Sequence, residues 1–318
     1  MQVCITGGRG FLGNALFEAL QDADVFVQVL GRRDGDLSDP KTADRLLKNA
    51  DVIVHLAADV GGVGYLRSCA GRAFHTNFQL GINVVRAACN GKAKRIVMAG
   101  TPCAYSGDAE LPLREDMLQV GVPSGDTGSY GYAKLASSIV ADNFCSSCGI
   151  DTVTVIPSNL YGPGDNYDSE RGHVVAALIR KAMIADFLGQ KNFSVWGDGA
   201  ATRDFVYVGD VARAIARIAL VEQEHAGAVY NLGSGVETSI KAVAYHVAAA
   251  VSDRILPHFD IDKPVGYNRR VMSIDFATEK IGYQPETSLQ NGLASTVAWL
   301  RKEKLVSRWL QSVIQKAA

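Results

Sequence analysis

Short apolar runs alternate with longer stretches of helical spacing through the first half of the chain. Residues 2–6 are apolar and β-prone, and behind them Leu12, Ala15, Leu16, Ala19 and Leu20 recur three and four apart, the spacing of one helix face. Similar runs at 25–30, 52–56, 95–99 and 152–156 predict strands, and helical patterns fill the gaps at 42–47, 74–89 and 132–145. Strands that alternate with helices imply parallel pairing through right-handed crossovers. The expected fold class is therefore α/β, a doubly wound parallel sheet of Rossmann type.

Past Tyr161-Gly162-Pro163-Gly164 the regularity weakens. A charged, Gly-containing loop runs to 172, followed by a predicted helix at 174–185 and a short strand at 193–196. Residues 204–208 lead into a helix at 211–220, and 230–235 resembles one more strand end. The remainder, to 318, reads as mainly helical with one irregular piece at 257–272. The expected organisation is a dinucleotide-binding domain, 1–165 plus 204–235, and a smaller mixed substrate lobe, 166–203 plus 236–318.

Composition narrows the function classes. At 318 residues the chain is long enough for one large or two ordinary domains, with 47% apolar and 20% charged residues. Its net charge of −1, without a basic block, gives no reason to expect nucleic acid or an anionic membrane as partner. The longest apolar stretches, such as 242–251, are too short to span a bilayer, and the N-terminus enters a strand without a leader-like pattern, so a cytoplasmic location is expected. Six scattered cysteines are too sparse for a disulfide framework. Cys145-x-x-Cys148 lacks the second pair or nearby His of a zinc set, so it reads as helix packing, and no metal is expected.

Two motifs carry chemistry. Gly7-x-x-Gly10-x-x-Gly13, with Phe11 and Leu12 opening the helix, lies between strand and helix. There the backbone can turn tightly and present free N–H groups to a pyrophosphate. Arg9 and Gly31-Arg32-Arg33 replace the acidic strand end that holds a ribose diol. Arginines suit a 2′-phosphate, so NADP is the expected cofactor, while Asp34 and Asp36 leave NAD open. In Tyr130-Gly-Tyr-Ala-Lys134 a phenol and an ammonium stand one helical turn apart. The charge is expected to favour the phenolate, lowering a pKa that starts near ~10. Thr101 and Cys103 follow the strand at 95–99, and in an extended segment both would point the same way, toward a substrate beside Tyr130. Thr101 can bond a carbonyl or hydroxyl; Cys103 is either a base there or a buried filler.

The Gly-rich start, His55-Leu56-Ala57-Ala58, the Thr-plus-Tyr-x-x-x-Lys set and Asn159-Leu-Tyr-Gly-Pro163 resemble the extended short-chain dehydrogenase/reductase family. Within it, the chain is similar to the GDP-L-fucose synthase branch up to about residue 300. The matching segments are Ala58-Asp-Val-Gly-Gly62, Pro102-Cys103-Ala-Tyr105, Pro157-Ser-Asn-Leu-Tyr-Gly-Pro163, His173-Val-Val-Ala-Ala-Leu178, Val195-Trp-Gly-Asp-Gly199 and Gly292-Leu-Ala-Ser-Thr296.

The resemblance implies a hydride-transfer site of Thr101, Tyr130 and Lys134, with Cys103 removing protons from carbons 3 and 5 of a 4-keto sugar and His173 returning them. It places Leu56, Ala57, Ala58, Asp36 and Leu37 along the cofactor and Asn77 in support of the site. Asn159, Trp196, Arg203, Arg269 and Lys181, the last in place of an arginine, would hold the GDP portion; for Arg203 a local pair with Asp204 is the alternative. It also implies a homodimer. Two departures stand out: Thr101 replaces the usual serine, and Pro102 replaces a hydroxyl residue. The 58–68 segment is also similar to GDP-mannose 3,5-epimerase, which carries a Lys where this chain has His173. A redox-neutral epimerase with bound NAD, a ketoreductase without epimerisation and a non-catalytic nucleotide-binding module remain the alternatives.

Overall fold

In the computed structural model, which describes residues 1–168, 172–263, 268–303, 305, 307 and 309, the first half follows the predicted alternation. It runs β1 (Gln2–Thr6), α1 (Phe11–Ala19), β2 (Phe26–Leu30), α2 (Pro40–Leu47), β3 (Val52–His55), α3 (Val63–Ser68), α4 (Ala70–Asn90) and β4 (Arg95–Ala99). Then come α5 (Gly128–Ser147), β5 (Asp151–Pro157), β6 (Asn159–Tyr161), α6 (Val174–Phe187), β7 (Asn192–Trp196), β8 (Thr202–Tyr207), α7 (Val208–Leu220) and β9 (Ala228–Leu232). The last elements are β10 (Glu237–Ser239), α8 (Ile240–Val251), β11 (Leu256–Asp260), β12 (Arg269–Arg270), α9 (Asp275–Ile281) and α10 (Leu289–Lys302).

The main sheet has the order β2-β1-β3-β4-β5-β9, with every neighbouring pair parallel. Its strands are apolar at nearly every position because helices cover both faces. Alternate side chains divide between two layers. Ile5, Val54 and Val97 pack with Leu16 of α1 and Val211 and Ile215 of α7, while Cys4, Ile53 and Ile96 pack with Leu47, Val84 and Ala141 on the other side. The chain leaves β1 toward β2 and returns to β3 on the opposite flank. The strand order therefore switches between β1 and β3, the position at which such sheets open a ligand crevice at their carboxyl edge.

A second core gathers α6, α8 and α10 around Ile179, Phe193, Val243 and Leu293. Its strands form a mixed sheet of β10-β8-β12 with β6 also on β8, and a parallel pair of β7 with β11. Strands β6 and β8 thus join the mixed sheet, while β9 joins the main one. The piece at 257–272, read as irregular, holds β11 and β12 instead. Pro257 at a sheet edge and the two-residue length of β12 hide the strand pattern. The described part of the charged loop stops at 168 and resumes at 172; the predicted helical tail beyond 309 lies outside the described residues. Among the described residues no helix is long and apolar enough to cross a membrane, and no group of three or more His, Cys, Asp or Glu is arranged to hold a metal ion.

Candidate active site

The glycine loop lies at the β1/β3 switch point. Gly7 adopts φ +67°, and a Cβ on it would lie 2.6 Å from the Ala57 nitrogen, so the loop after β1 and the Leu56–Ala58 segment after β3 meet backbone to backbone. Gly10 caps α1, whose first residues are Phe11, Leu12 and Gly13, leaving the N–H groups of that turn directed out of the sheet edge. Any side chain at position 7 would force these two backbone segments apart. At the end of β2, Asp34 accepts from the Gly31 N–H (2.8 Å) and from Arg9 (3.2 Å), so this carboxylate is already engaged. Arg32 and Arg33 are exposed. Asp36 accepts from the Ser38 N–H (2.9 Å), and Leu37 is buried beneath a bond from Asn83 to its carbonyl.

The turn after β4 differs from the expected extended segment. Thr101 is extended (φ −156°, ψ 145°), but Pro102–Ala104 forms a turn of 3-10 helix. Proline's fixed φ starts that turn, and the Thr101 Oγ1 caps it by accepting from the Cys103 N–H (3.3 Å). The two side chains therefore do not project in parallel. Cys103 instead packs, with Tyr65 and Cys69, on the cluster of Leu66, Ala73 and Tyr130 of α5.

Both helical partners are buried: Tyr130 is 7% exposed and Lys134 4%. Burial dominates their titration. It pushes Lys134 down to about 8 and, together with Cys103, pushes the Tyr130 hydroxyl up rather than down as expected. A phenolate here loses its hydration, which disfavours the charged form. Next to Lys134 lies His55, wholly buried and pushed down to about 3 by burial first and by that ammonium second. Its Nδ1 shares a 2.8 Å hydrogen bond with the Thr6 hydroxyl.

Asn77, on α4, supports the segment facing this cluster. Its Oδ1 accepts from the Asp59 N–H (2.9 Å), and its Nδ2 donates to the carbonyls of Asp59 (2.9 Å) and Ala73 (2.7 Å). Asp59 also accepts from the Tyr65 hydroxyl (2.6 Å) on α3, an element too short and glycine-interrupted to show a helical period.

The second lobe supplies the remaining candidates. His173 is the N-cap of α6 without a side-chain cap; part of its surface meets solvent, while the protein crowding the ring lowers its pKa. Two turns on, Lys181 donates to the Ser194 carbonyl (3.1 Å) and lies 5.4 Å from the centre of the Trp196 ring, which is 54% exposed. Asn159 donates to the Asp204 carbonyl (2.8 Å). Arg203 is half-buried, and its pair with Asp204 does not form, because that carboxylate accepts from Ser234 and Gly235. Arg269 is clamped by Glu237 through two 2.6 Å bonds on the solvent side, while its neighbour Arg270 turns back toward the turn after β4. No motif singles out Arg270 or Gly131; the doubled arginine and the Gly between two tyrosines are the signals present in the sequence.

The profile of the NAD dependent epimerase/dehydratase family matches residues 3–233. The chain belongs to that family. It is an enzyme of the extended short-chain dehydrogenase/reductase type that uses a nicotinamide cofactor. Among curated members it is similar to a GDP-L-fucose synthase of Sinorhizobium fredii, 30% identical over 299 residues, covering 93% of this chain and 94% of that one. A GDP-L-fucose synthase of Escherichia coli is 29% identical, with 94% and 96% covered. Among solved structures, a GDP-L-fucose synthetase from Naegleria fowleri bound to NADP superposes with a TM-score of 0.86 at 25% identity, covering 95% of this chain and 93% of that one.

Proposed function

We propose that this family member is an NADPH-dependent epimerase/reductase acting on a GDP-4-keto-6-deoxy sugar, inverting carbons 3 and 5 and then reducing carbon 4, with GDP-L-fucose as the default product. The observation that carries this reading is that Cys103 packs on the cluster that buries Tyr130, close enough to raise its pKa. A simple ketoreductase needs only the phenol, the lysine and the hydroxyl residue. A thiol near that phenol adds a group able to take a proton from carbon beside the ketone. The names of the GDP-L-fucose synthase relatives support the same substrate class.

The 4-keto group acidifies the neighbouring C–H bonds and stabilises the enolate left when either proton leaves. Cys103 takes that proton from carbon 3 or 5, and His173 returns one to the opposite face. Crowding lowers the pKa of His173, making its charged form a stronger donor. Bound NADPH would supply the hydride for carbon 4. Tyr130 gives its proton to the carbonyl oxygen, and Lys134, mostly ammonium at neutral pH with a pKa of about 8, steadies the phenolate that remains. Thr101 holds the same oxygen.

In this reading Gly7, Gly10, Phe11, Leu12, Gly13, Leu56, Ala57 and Ala58 cradle the cofactor, with Asp36 and Leu37 toward the adenine. The exposed Arg32 and Arg33, assisted by Arg9, take the 2′-phosphate, while engagement of Asp34 argues against NAD. Asn159, Lys181, Trp196, Arg203 and Arg269 hold GDP in the lobe of 166–203 plus 236–318. The enzyme acts in the cytoplasm, in keeping with six free cysteines, and as a homodimer, in keeping with the exposed Phe74, Tyr132 and Ile139 on α4 and α5. Stoichiometric NADPH oxidation by GDP-4-keto-6-deoxy-mannose tests the reading, and conversion without cofactor consumption contradicts it.

A further inference from the structure

The substrate lobe reaches the turn after β4 through Arg270, next to the apolar packing of Met272 with Ala104 and Tyr105. Strand β12 consists of Arg269 and Arg270, which lie opposite Thr202 and Arg203 of β8. Adjacent strand residues face opposite ways. Arg269 accordingly meets Glu237 in solvent, and Arg270 points inward. Its Nη2 donates to the carbonyls of Pro102 (2.7 Å) and Tyr105 (3.1 Å), and its Nη1 to that of Ser106 (3.2 Å). These acceptors belong to the turn that carries Thr101 and Cys103, more than 160 positions away in sequence.

A planar guanidinium holds its donors in one fixed fork, whereas the three donors of an ammonium rotate about a single bond and fix no plane. The turn needs such a brace. It is one short 3-10 turn held by few backbone bonds of its own, from Ala104 N–H to Thr101 and from Tyr105 N–H to Pro102, and a cation at its C-terminal end also complements the helix dipole. Arg270 also has a like-charged neighbour. Burial first, and Arg270 second, lower the pKa of Arg203. An anion arriving at Arg203 offsets that repulsion and strengthens the hold of Arg270 on the turn.

We propose that Arg270 is a positioning residue: it fixes the Thr101–Ser106 turn, and hence the Cys103 thiol, from the substrate lobe, coupling occupancy of the diphosphate site at Arg203 to readiness of the turn. This rests on the reaction proposed above, yet its structural half is testable without any substrate.

The experiment pairs amide hydrogen exchange with kinetics in Arg270→Met and Arg270→Lys. In Arg270→Met, exchange across residues 101–106 is expected to speed by about tenfold or more, with the amides of β1 and α1 unchanged. The kcat is expected to fall about 10- to 100-fold while KM for the GDP-sugar stays within about threefold and NADPH affinity is retained. Ethylguanidinium added to Arg270→Met restores part of kcat, and Arg270→Lys lies between. Unchanged exchange at 101–106 overturns the positioning role whatever the substrate is. A raised KM with kcat kept overturns it in favour of direct ligand contact, and equal loss of exchange protection in β1 makes Arg270 a general fold brace. If Arg270→Met does not fold, Arg270→Lys carries the same readings. Wild-type inactivity on the GDP-sugar would sink the proposed reaction alone and leave the exchange result standing.

Discussion

The carbonyl oxygen of Cys103 lies against the α-carbon of Gly131, so closely that a Cβ on residue 131 would stand 2.0 Å from it. This contact seats α5 on the turn after β4 and brings Tyr130, the preceding residue, into the cluster on which Cys103 packs. Because the obstructing atom is backbone, no side-chain rotation relieves the clash. Gly131→Ala is therefore expected to push helix and turn apart, costing about 1–3 kcal/mol of stability. It should reduce kcat more than it weakens NADPH binding, since the clash falls on the turn that carries Cys103. Thermal unfolding, cofactor titration and turnover measured on one preparation check this; unaltered kcat contradicts it.

Tyr130→Phe removes the proton donor while keeping the packed ring. Reduction of the ketone should fall about 10²- to 10⁴-fold, and solvent deuterium should still enter carbons 3 and 5, because that step uses other groups. Mass spectrometry of the sugar recovered from D2O separates the two outcomes. Loss of both reduction and exchange would mean that the phenol serves every step.

Cys103→Ser is the complementary variant. A hydroxyl is a far weaker acid than a thiol, so deuterium incorporation at carbons 3 and 5 should slow while NADPH binding is unchanged. Exchange at the wild-type rate would remove Cys103 from the chemistry.

His55 gives the fold an acid-sensitive element. Burial drops its pKa from 6.5 to about 3, so the folded chain keeps the ring neutral where the unfolded chain protonates it. Its contribution is complete above the unfolded value and is lost as pH falls from about 6.5 toward 3, at up to about 1.4 kcal/mol per pH unit. His55→Gln keeps a polar partner for Thr6 without titrating. The variant should lose less stability than the parent between pH 6.5 and 5 in denaturant titrations; identical slopes contradict the assignment.

Much of this architecture was legible in the sequence because the main sheet is buried on both faces. Strands such as Ile96–Val97–Met98 must then be apolar throughout, and amphipathic helices such as α4 must repeat at 3.6 residues. The glycine loop and the Tyr130–Lys134 pair were legible because each fits within one turn of chain. What lay beyond reach depended on partners distant in sequence. The upward shift of Tyr130 follows from burial by Leu66 and Ala73, and local spacing shows only the nearby lysine. Pro102 turned an expected extended segment into a 3-10 turn. Arg269 and Arg270 are indistinguishable in sequence; only the pairing of β12 with β8 sends one to solvent and the other to the turn after β4.

The most direct test supplies purified enzyme with GDP-4-keto-6-deoxy-mannose and NADPH in D2O and follows cofactor absorbance, product mass and product NMR together. The account predicts that one NADPH is consumed for each sugar, that deuterium is incorporated at both carbon 3 and carbon 5, and that those centres are inverted in a 4-hydroxy product. Consumption of NADPH with neither centre exchanged or inverted, or inversion with no NADPH consumed, would contradict it.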